Sequence, residues 1–173
     1  MNIDQDCRYV YIPSPYDDRI LHLNKKLNDT YIGYGKKGQA YKTRQELQDQ
    51  NAEGMSGGSA IQRTTSKSST RYKNTEWDLV DAYETDSEFL VELEISELPE
   101  EMKNMSDSEK REYIELKQTE RVEITKEIND LSAKRNKFVS EEQAKSSTEN
   151  MLDQAIIEAV KKQALAKNYT FEE

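Results

Sequence analysis

Residues 106–145 read SDSEKREYIELKQTERVEITKEINDLSAKRNKFVSEEQAK, a run with neither glycine nor proline. Nothing in it breaks a helix, and Ser106 followed by Glu109 forms a capping-box signature at its start. The serine oxygen takes an orphan amide while the glutamate reaches back to the cap. Ile124, Ile128, Leu131 and Phe138 recur on one helical face, with Arg135 filling the step between the last two. Asp107 with Arg111, Asp130 with Lys134 and Glu141 with Lys145 are acid-first pairs four residues apart, each contributing roughly 0.2–0.5 kcal/mol. At about 1.5 Å per residue the helix extends roughly 60 Å, more than the width of a domain of this size. Part of it is expected to project or to lie along a partner.

Outward from this spine, the pieces are shorter. Arg8 to Ile12 alternates and is rich in Tyr and Val, which predicts a strand ended by Pro13 and Pro15. Asp17 opens a short helix with Ile20, Leu23 and Leu27 at helical spacing, and Tyr31 to Gly35 returns to extended chain. This unit is too small to bury its own apolar face. Lys37 to Glu53 has helical composition with Gly54 as its terminator, Gly57-Gly58 is a break, Ala60-Ile61 begins a polar helix or loop, and the Ser/Thr run near Lys67 in which it ends reads as flexible. Trp77 to Tyr83 predicts a helical turn or two, and Phe89 to Ile95 is β-like in part, stopped by Leu98-Pro99. Past the spine, Ser146 with Glu149 repeats the capping signal, and Leu152, Ala155, Ile156, Ala159, Val160 and Ala164 form a stripe before Asn168.

The expected fold is therefore mainly α. A long charged helix (104–147) carries a shorter antiparallel C-terminal helix (148–173). Ahead of it lie a strand–helix–strand segment (1–35), a helix with a Gly/Ser-rich loop (36–74) and an acidic linker with short helices (75–103), making the N-terminal part small, irregular and α+β.

Composition bounds the function. Of 173 residues, 34% are hydrophobic and 34% charged, and the mean hydropathy is −1.02. That suits exposed helices burying one narrow stripe each better than a large enclosed cavity. The net charge of −9 opposes nonspecific nucleic-acid binding, which needs a basic face. From Thr75 through Met102 there are acids throughout and no Lys or Arg, while Arg63, Lys67, Arg71 and Lys73 precede that window. The asymmetry reads either as solvated surface or as a docking strip for a basic partner. Cys7 is the single cysteine, so no internal disulfide is possible. No apolar run has the length of a membrane span and the N-terminus lacks the regions of a signal peptide. The expectation is a soluble chain without membrane insertion, cytoplasmic or periplasmic.

Several motifs invite chemistry. Gly54-Met55-Ser56-Gly57-Gly58 matches the nucleophile elbow of serine hydrolases, making Ser56 the alternative catalytic candidate. However, the residues before it read as helix, and His22, the only histidine, lies upstream where the hydrolase order requires it downstream. His22 has no Cys or second His beside it to make a zinc site. Asp78, Asp81, Glu84 and Asp86 lack the glycine of a calcium loop, and neither a Walker loop nor a dinucleotide fingerprint occurs. No catalytic residue, cofactor or metal is expected. Tyr9, Tyr11, Tyr16, Tyr31 and Tyr34, with Trp77, make instead a candidate interaction surface, because aromatics with a polar tip are common at interfaces. Local packing is the competing explanation.

Tyr11-Ile12-Pro13-Ser14-Pro15-Tyr16-Asp17-Asp18, Leu23-Asn24, Leu27 to Tyr31 and Gly33-Tyr34-Gly35 begin a longer pattern. It continues through Arg44-Gln45, Gln48-Asp49, Gln62-Arg63, Tyr72-Lys73-Asn74, Trp77 to Ala82 and Leu98-Pro99. Together these resemble the segment that ends the domain and begins the tail in bacterial von Willebrand factor A (VWA) domain proteins. The Pro-Tyr-Asp and Trp-Asp blocks carry the resemblance. It implies a family domain built as an open sheet flanked by helices, with a divalent metal held by an Asp-x-Ser-x-Ser motif. That motif is absent here, so the resemblance transfers no metal ligand. It implies a tail without its head: a non-catalytic accessory or protein–protein interaction module whose partner is the missing VWA domain or another protein. A homo-oligomer through the long helix is the third expectation, although Arg121 and Arg135 interrupt its apolar seam.

Overall fold

The computed structural model describes the backbone of residues 11–166 and the side-chain surroundings of residues 11–145. The chain is mainly helical. Helix α1 spans Asp17–Asn28, α2 Gly38–Met55, α3 Gly57–Lys67, α4 Leu79–Thr85, α5 Phe89–Glu92 and α6 Asp107–Ala166, with single 3-10 turns at Ile95–Glu97 and Glu100–Met102. The described residues through Arg135 form one compact unit, and those from Asn136 onward form a second.

In the first unit, α1 has Asp17 and Asp18 in its first turn and Lys25 and Lys26 in its last, the arrangement a helix dipole favours. Ile20, Leu23 and Leu27 are buried on one face beside Tyr31, Ile61, Trp77 and, from α6, Ile128 with Ile124 and Leu131 packed against them. Each buried aliphatic side chain here contributes about 1.5–3 kcal/mol relative to exposure. A second cluster joins Ile32, Leu79, Val80, Leu90, Leu98 and Met102 to Ile114 of α6. The segments on either side of Trp77 thus both close on the same long helix, whose capping box is formed: Ser106 N donates to Glu109 (2.7 Å) and Glu109 N donates to Ser106 Oγ (3.4 Å).

The N-terminal segment differs from expectation. Most of the expected strand Arg8–Ile12, with Tyr9 and Cys7, lies outside the described residues. Tyr31 to Gly35 makes only an isolated antiparallel bridge, Gly33 to Asp78, so no strand is present among the described residues. Gly33 and Gly38 approach so closely that a Cβ on Gly38 would lie 2.6 Å from the Gly33 carbonyl carbon. Gly35 takes a positive φ of 70°. This corner is a glycine turn rather than a sheet edge. Among the described residues, the apolar face of α1 is covered by α3 and α6 of the same chain.

Three further expectations are corrected. The first part of the Ser/Thr run belongs to α3, with Thr64 and Lys67 buried in the helix and Ser68 buried at its C-cap. Its small polar residues hid the inward face of a helix, which joins Thr64 and Lys67 to Ala60 and Ile61. Gly54 lies inside α2, and Ser56 is the residue between the two helices. Phe89 to Ile95 forms α5 and the start of a 3-10 turn instead of a strand.

The second unit contains the remainder of α6. The separate antiparallel helix expected from Ser146 and Glu149 is not formed, because α6 runs unbroken to Ala166. A Ser-x-x-Glu pattern caps a helix only where the preceding chain leaves helical geometry. Here no glycine or proline makes it leave. Side chains of the stripe Leu152 to Ala164, and Asn168, lie outside those described. No helix of the described residues is long and apolar enough to cross a membrane.

Candidate functional site

The first unit brings together three clusters of buried charge. The first is built by α1, α2 and α3. Asn24 and Asn28 lie on the α1 face next to its aliphatic stripe, Gln45 and Asp49 are one helical turn apart on α2, and Arg63 and Lys67 repeat that spacing on α3. Lys67 Nζ, with no exposed side-chain surface, donates to Asp49 Oδ2 (2.7 Å), Asn24 Oδ1 (2.9 Å) and Asn28 Oδ1 (2.5 Å). Three acceptors take the three protons of an ammonium, while burial, opposed by Asp49, lowers the Lys67 amine below its ordinary value. Arg63 Nε donates to the other oxygen of Asp49 (2.5 Å), and Tyr72 donates its hydroxyl proton to Gln45 Oε1 (2.9 Å). Burial opposes ionisation of Asp49, but hydrogen bonds and charge from Lys67, with Asn28 and Arg63, outweigh it and hold the carboxyl below its ordinary value.

The second cluster fastens α6 to the Thr30–Ile32 corner and the start of α4. Arg121 Nη1 donates to Asp78 Oδ2 (2.7 Å) and Asp81 Oδ1 (2.9 Å), while Nε and Nη2 donate to Thr30 Oγ1 (3.0 Å) and the Thr30 carbonyl (2.8 Å). The guanidinium lies 4.3 Å from the centre of the Tyr31 ring, a cation–π contact. Asp78 also accepts from Ile32 N (2.8 Å) and, as the N-cap of α4, from Asp81 N (3.2 Å). Burial first, then the charge of Asp78, pushes the Asp81 carboxyl upward against the pull of Arg121. Burial also raises the Tyr31 phenol far above its usual value.

The third cluster fastens α6 to the start of α1. Arg135 Nε donates to Asp17 Oδ1 (2.8 Å) and Nη2 to the Ile12 carbonyl (3.3 Å). Asp17 also accepts from Ser14 Oγ (2.6 Å), Ser14 N (3.0 Å) and the Tyr11 hydroxyl. Burial opposes its ionisation, yet the Ser14 and Tyr11 hydrogen bonds, then Arg135, hold the Asp17 carboxyl below its ordinary value.

The residues singled out from sequence distribute differently. Tyr31 and Trp77 are buried, their rings 5.6 Å apart. They are core rather than docking surface. Tyr16 is half-buried against that same core, and Tyr34 packs edge-on to Phe89 and donates to the Thr75 carbonyl. Tyr11 is half-buried, its ring against Gly57 and Gly58, where an added Cβ would come within 2.8 Å and 3.2 Å of it. The glycines that suggested an elbow are thus the bed of a tyrosine ring. Ser56 is exposed at a helix-to-helix corner. Its Oγ accepts from Ser59 N (3.0 Å) and shares a proton with Ser59 Oγ (2.9 Å), the geometry of an N-cap. Among the described residues neither a histidine nor a carboxylate bonds to it, and His22 is exposed on α1. Among the same residues no group of three or more His, Cys, Asp or Glu is placed to hold a metal ion.

Sequence reasoning missed the clusters themselves, though part of their signal was visible. Arg121, Ile124, Ile128, Leu131 and Arg135 follow alternating steps of three and four, so the two arginines occupy the face of the apolar stripe. A cation at such a position requires a buried acid opposite. The Lys67 cluster left no comparable mark, since neither α2 nor α3 carries an apolar stripe as long as that of α6. No family model, curated protein or solved structure matches the chain.

Proposed function

We propose that this chain is a non-catalytic helical module for protein interaction, corresponding to the C-terminal region of a VWA-type protein. What carries the reading is the use to which the buried charged groups are put. Asp17, Asp49, Lys67, Asp78, Asp81, Arg121 and Arg135 are each bonded to a partner on another element. They act as fasteners, a role that needs no substrate. The resemblance draws on the four acids of that set. Its Pro-Tyr-Asp block supplies Asp17, its Trp-Asp block supplies Asp78 and Asp81, and its scattered polar positions include Asn24, Asn28, Gln45, Asp49, Arg63 and Tyr72. A pattern spread from Tyr11 to Pro99 is then the pattern of one fold, whose polar interior needs those residue types.

The test mixes the full chain with a separately expressed VWA-type domain, taken from a protein whose own tail contains the Pro-Tyr-Asp and Trp-Asp blocks. Light scattering and calorimetry are expected to show a stoichiometric complex. A monomer with no affinity for that domain would remove the VWA assignment. Labelling by an activated-serine probe that disappears in Ser56→Ala would remove the non-catalytic one.

A further inference from the structure

The segment from Asp86 to Met102 is held by its inward side chains while presenting an apolar pair outward. Leu90, Leu98 and Met102 are buried, with Phe89 and Leu93 packed against the same cluster. The Glu97 carbonyl accepts from Gly35 N (2.8 Å), which ties the segment to the glycine corner. Val91 and Ile95 face solvent, 66% and 63% exposed. They are four residues apart, so the chain between them spans at most about 14 Å, within the footprint of one bound helix. Around them Asp86, Glu88, Glu92 and Glu94 are exposed, and none forms an ion pair among the described residues. The nearest cations in sequence, Lys73 and Lys103, are engaged by Glu84 and Glu100 at the margins.

We infer that this strip docks a Lys/Arg-rich amphipathic helix of a partner protein. Val91 and Ile95 meet its apolar side chains, and Glu88, Glu92 and Glu94 pair with its cations. The charge selects the occupant. A nucleic acid or an anionic membrane is repelled by a segment that has acids from Thr75 to Met102 and no Lys or Arg. A basic helix gains electrostatic steering and buries the two apolar side chains at once. The fixed backbone reduces the ordering cost of binding. This inference deepens the interaction-module reading by naming the surface and the chemistry of its partner.

The probe is a fluorescent peptide of about 18 Leu and Lys residues patterned as an amphipathic helix, titrated into the full chain by anisotropy. Saturable binding is expected to weaken at least about tenfold in Glu88→Gln/Glu92→Gln/Glu94→Gln and in Val91→Ser/Ile95→Ser, and to fall with added salt. It is expected to persist in Glu112→Gln/Glu115→Gln/Glu123→Gln, which removes equal charge from exposed positions of α6. A peptide with Ser in place of Leu should bind far more weakly. Circular dichroism confirms that each surface variant retains its helicity. The inference is overturned by absent binding, by equal loss in the α6 variant, or by equal binding of the Leu-free peptide. It is also overturned by a wild-type dimer that Val91→Ser/Ile95→Ser converts to monomer, which would assign the strip to a second copy. If the triple Glu variant still bound the VWA-type domain while the peptide failed to bind wild type, the strip would fall and the module would stand.

Discussion

Two buried charge clusters in the same unit carry opposite imbalances: Asp49 faces two cations, Lys67 and Arg63, whereas Arg121 faces two anions, Asp78 and Asp81. Neutral dipoles of the appropriate sign meet the surplus in each. Around Lys67 these are the amide oxygens of Asn24 and Asn28. Around the aspartates they are the backbone N–H groups of Ile32, Asp81 and Asn74. The clusters also differ in reach. The Asp49 cluster joins α1, α2 and α3 to one another, while Arg121 fastens that assembly and α4 to the long helix. The comparison teaches that a buried ion costs least where losing its partner still leaves the remaining charges paired.

That difference ranks the substitutions. Arg121→Met leaves two buried carboxylates with no cation and should cost about 3–5 kcal/mol, a large share of the roughly 5–15 kcal/mol of an ordinary domain. Urea unfolding measures it. Arg121→Lys should recover only part of the loss, since a point charge cannot serve Thr30, Asp78 and Asp81 in the fixed fork of a guanidinium. Lys67→Met leaves Asp49 bonded to Arg63 and should cost less, about 1–3 kcal/mol. Equal costs for the two Met variants would break the comparison.

Acid titration sharpens it further. The Asp17 and Asp49 carboxyls are held below the ordinary 3.8. Their contribution is complete above that value and is lost as pH falls through their lower folded values. Asp81, raised above 3.8, runs the other way. Its contribution is complete below 3.8 and is lost as pH rises through its raised value. Unfolding midpoints taken from about pH 7 to pH 2.5 should therefore fall on the acid side. Asp17→Asn should flatten that fall, and at neutral pH Asp81→Asn should cost less than Asp78→Asn.

Smaller effects test the surroundings of the clusters. Gly57→Ala improves helix propensity by up to about 1 kcal/mol but drives a Cβ to 2.8 Å from the Tyr11 ring, whose hydroxyl is tied to Asp17. A net loss of about 1 kcal/mol is expected, with Gly58→Ala milder and Tyr11→Ala in the same chain relieving it. Thermal melts of the single and double variants decide the matter. Smallest of all, Val91→Ser/Ile95→Ser should change stability by no more than about 0.5 kcal/mol while weakening peptide binding at least about tenfold. A large destabilisation there would show that the strip is structural.

The elements differ in how plainly the sequence announced them. α1 and the start of α6 were legible because Ile20, Leu23 and Leu27, and Ile124, Ile128 and Leu131, recur at helical spacing, and because Ser106 and Glu109 satisfy each other locally. α3 was legible only as a polar helix or loop begun by Ala60-Ile61, since Thr64 and Lys67, with Ser68 at its end, are buried although such residues ordinarily face water. The end of α6 was misplaced because Ser146 and Glu149 carry a start signal that operates only after a break. Among the candidate surface residues, Tyr31 and Trp77 looked suited to a partner because aromatic type says nothing about which neighbour covers the ring.

What the sequence by itself determined is the mainly helical character, the long helix without a breaker, and the acidic window from Thr75 to Met102. These follow from local propensity, capping and composition, which act over a few residues. Only the tertiary structure decided that Arg121 and Arg135 complete the apolar seam instead of interrupting it, that Lys67 is interior, and that Gly57 and Gly58 cradle Tyr11. Each of those outcomes depends on a partner from 18 to 118 residues away or on a ring laid across a helix. The burial of a charge is set by whether such a partner arrives, and no local pattern contains that information.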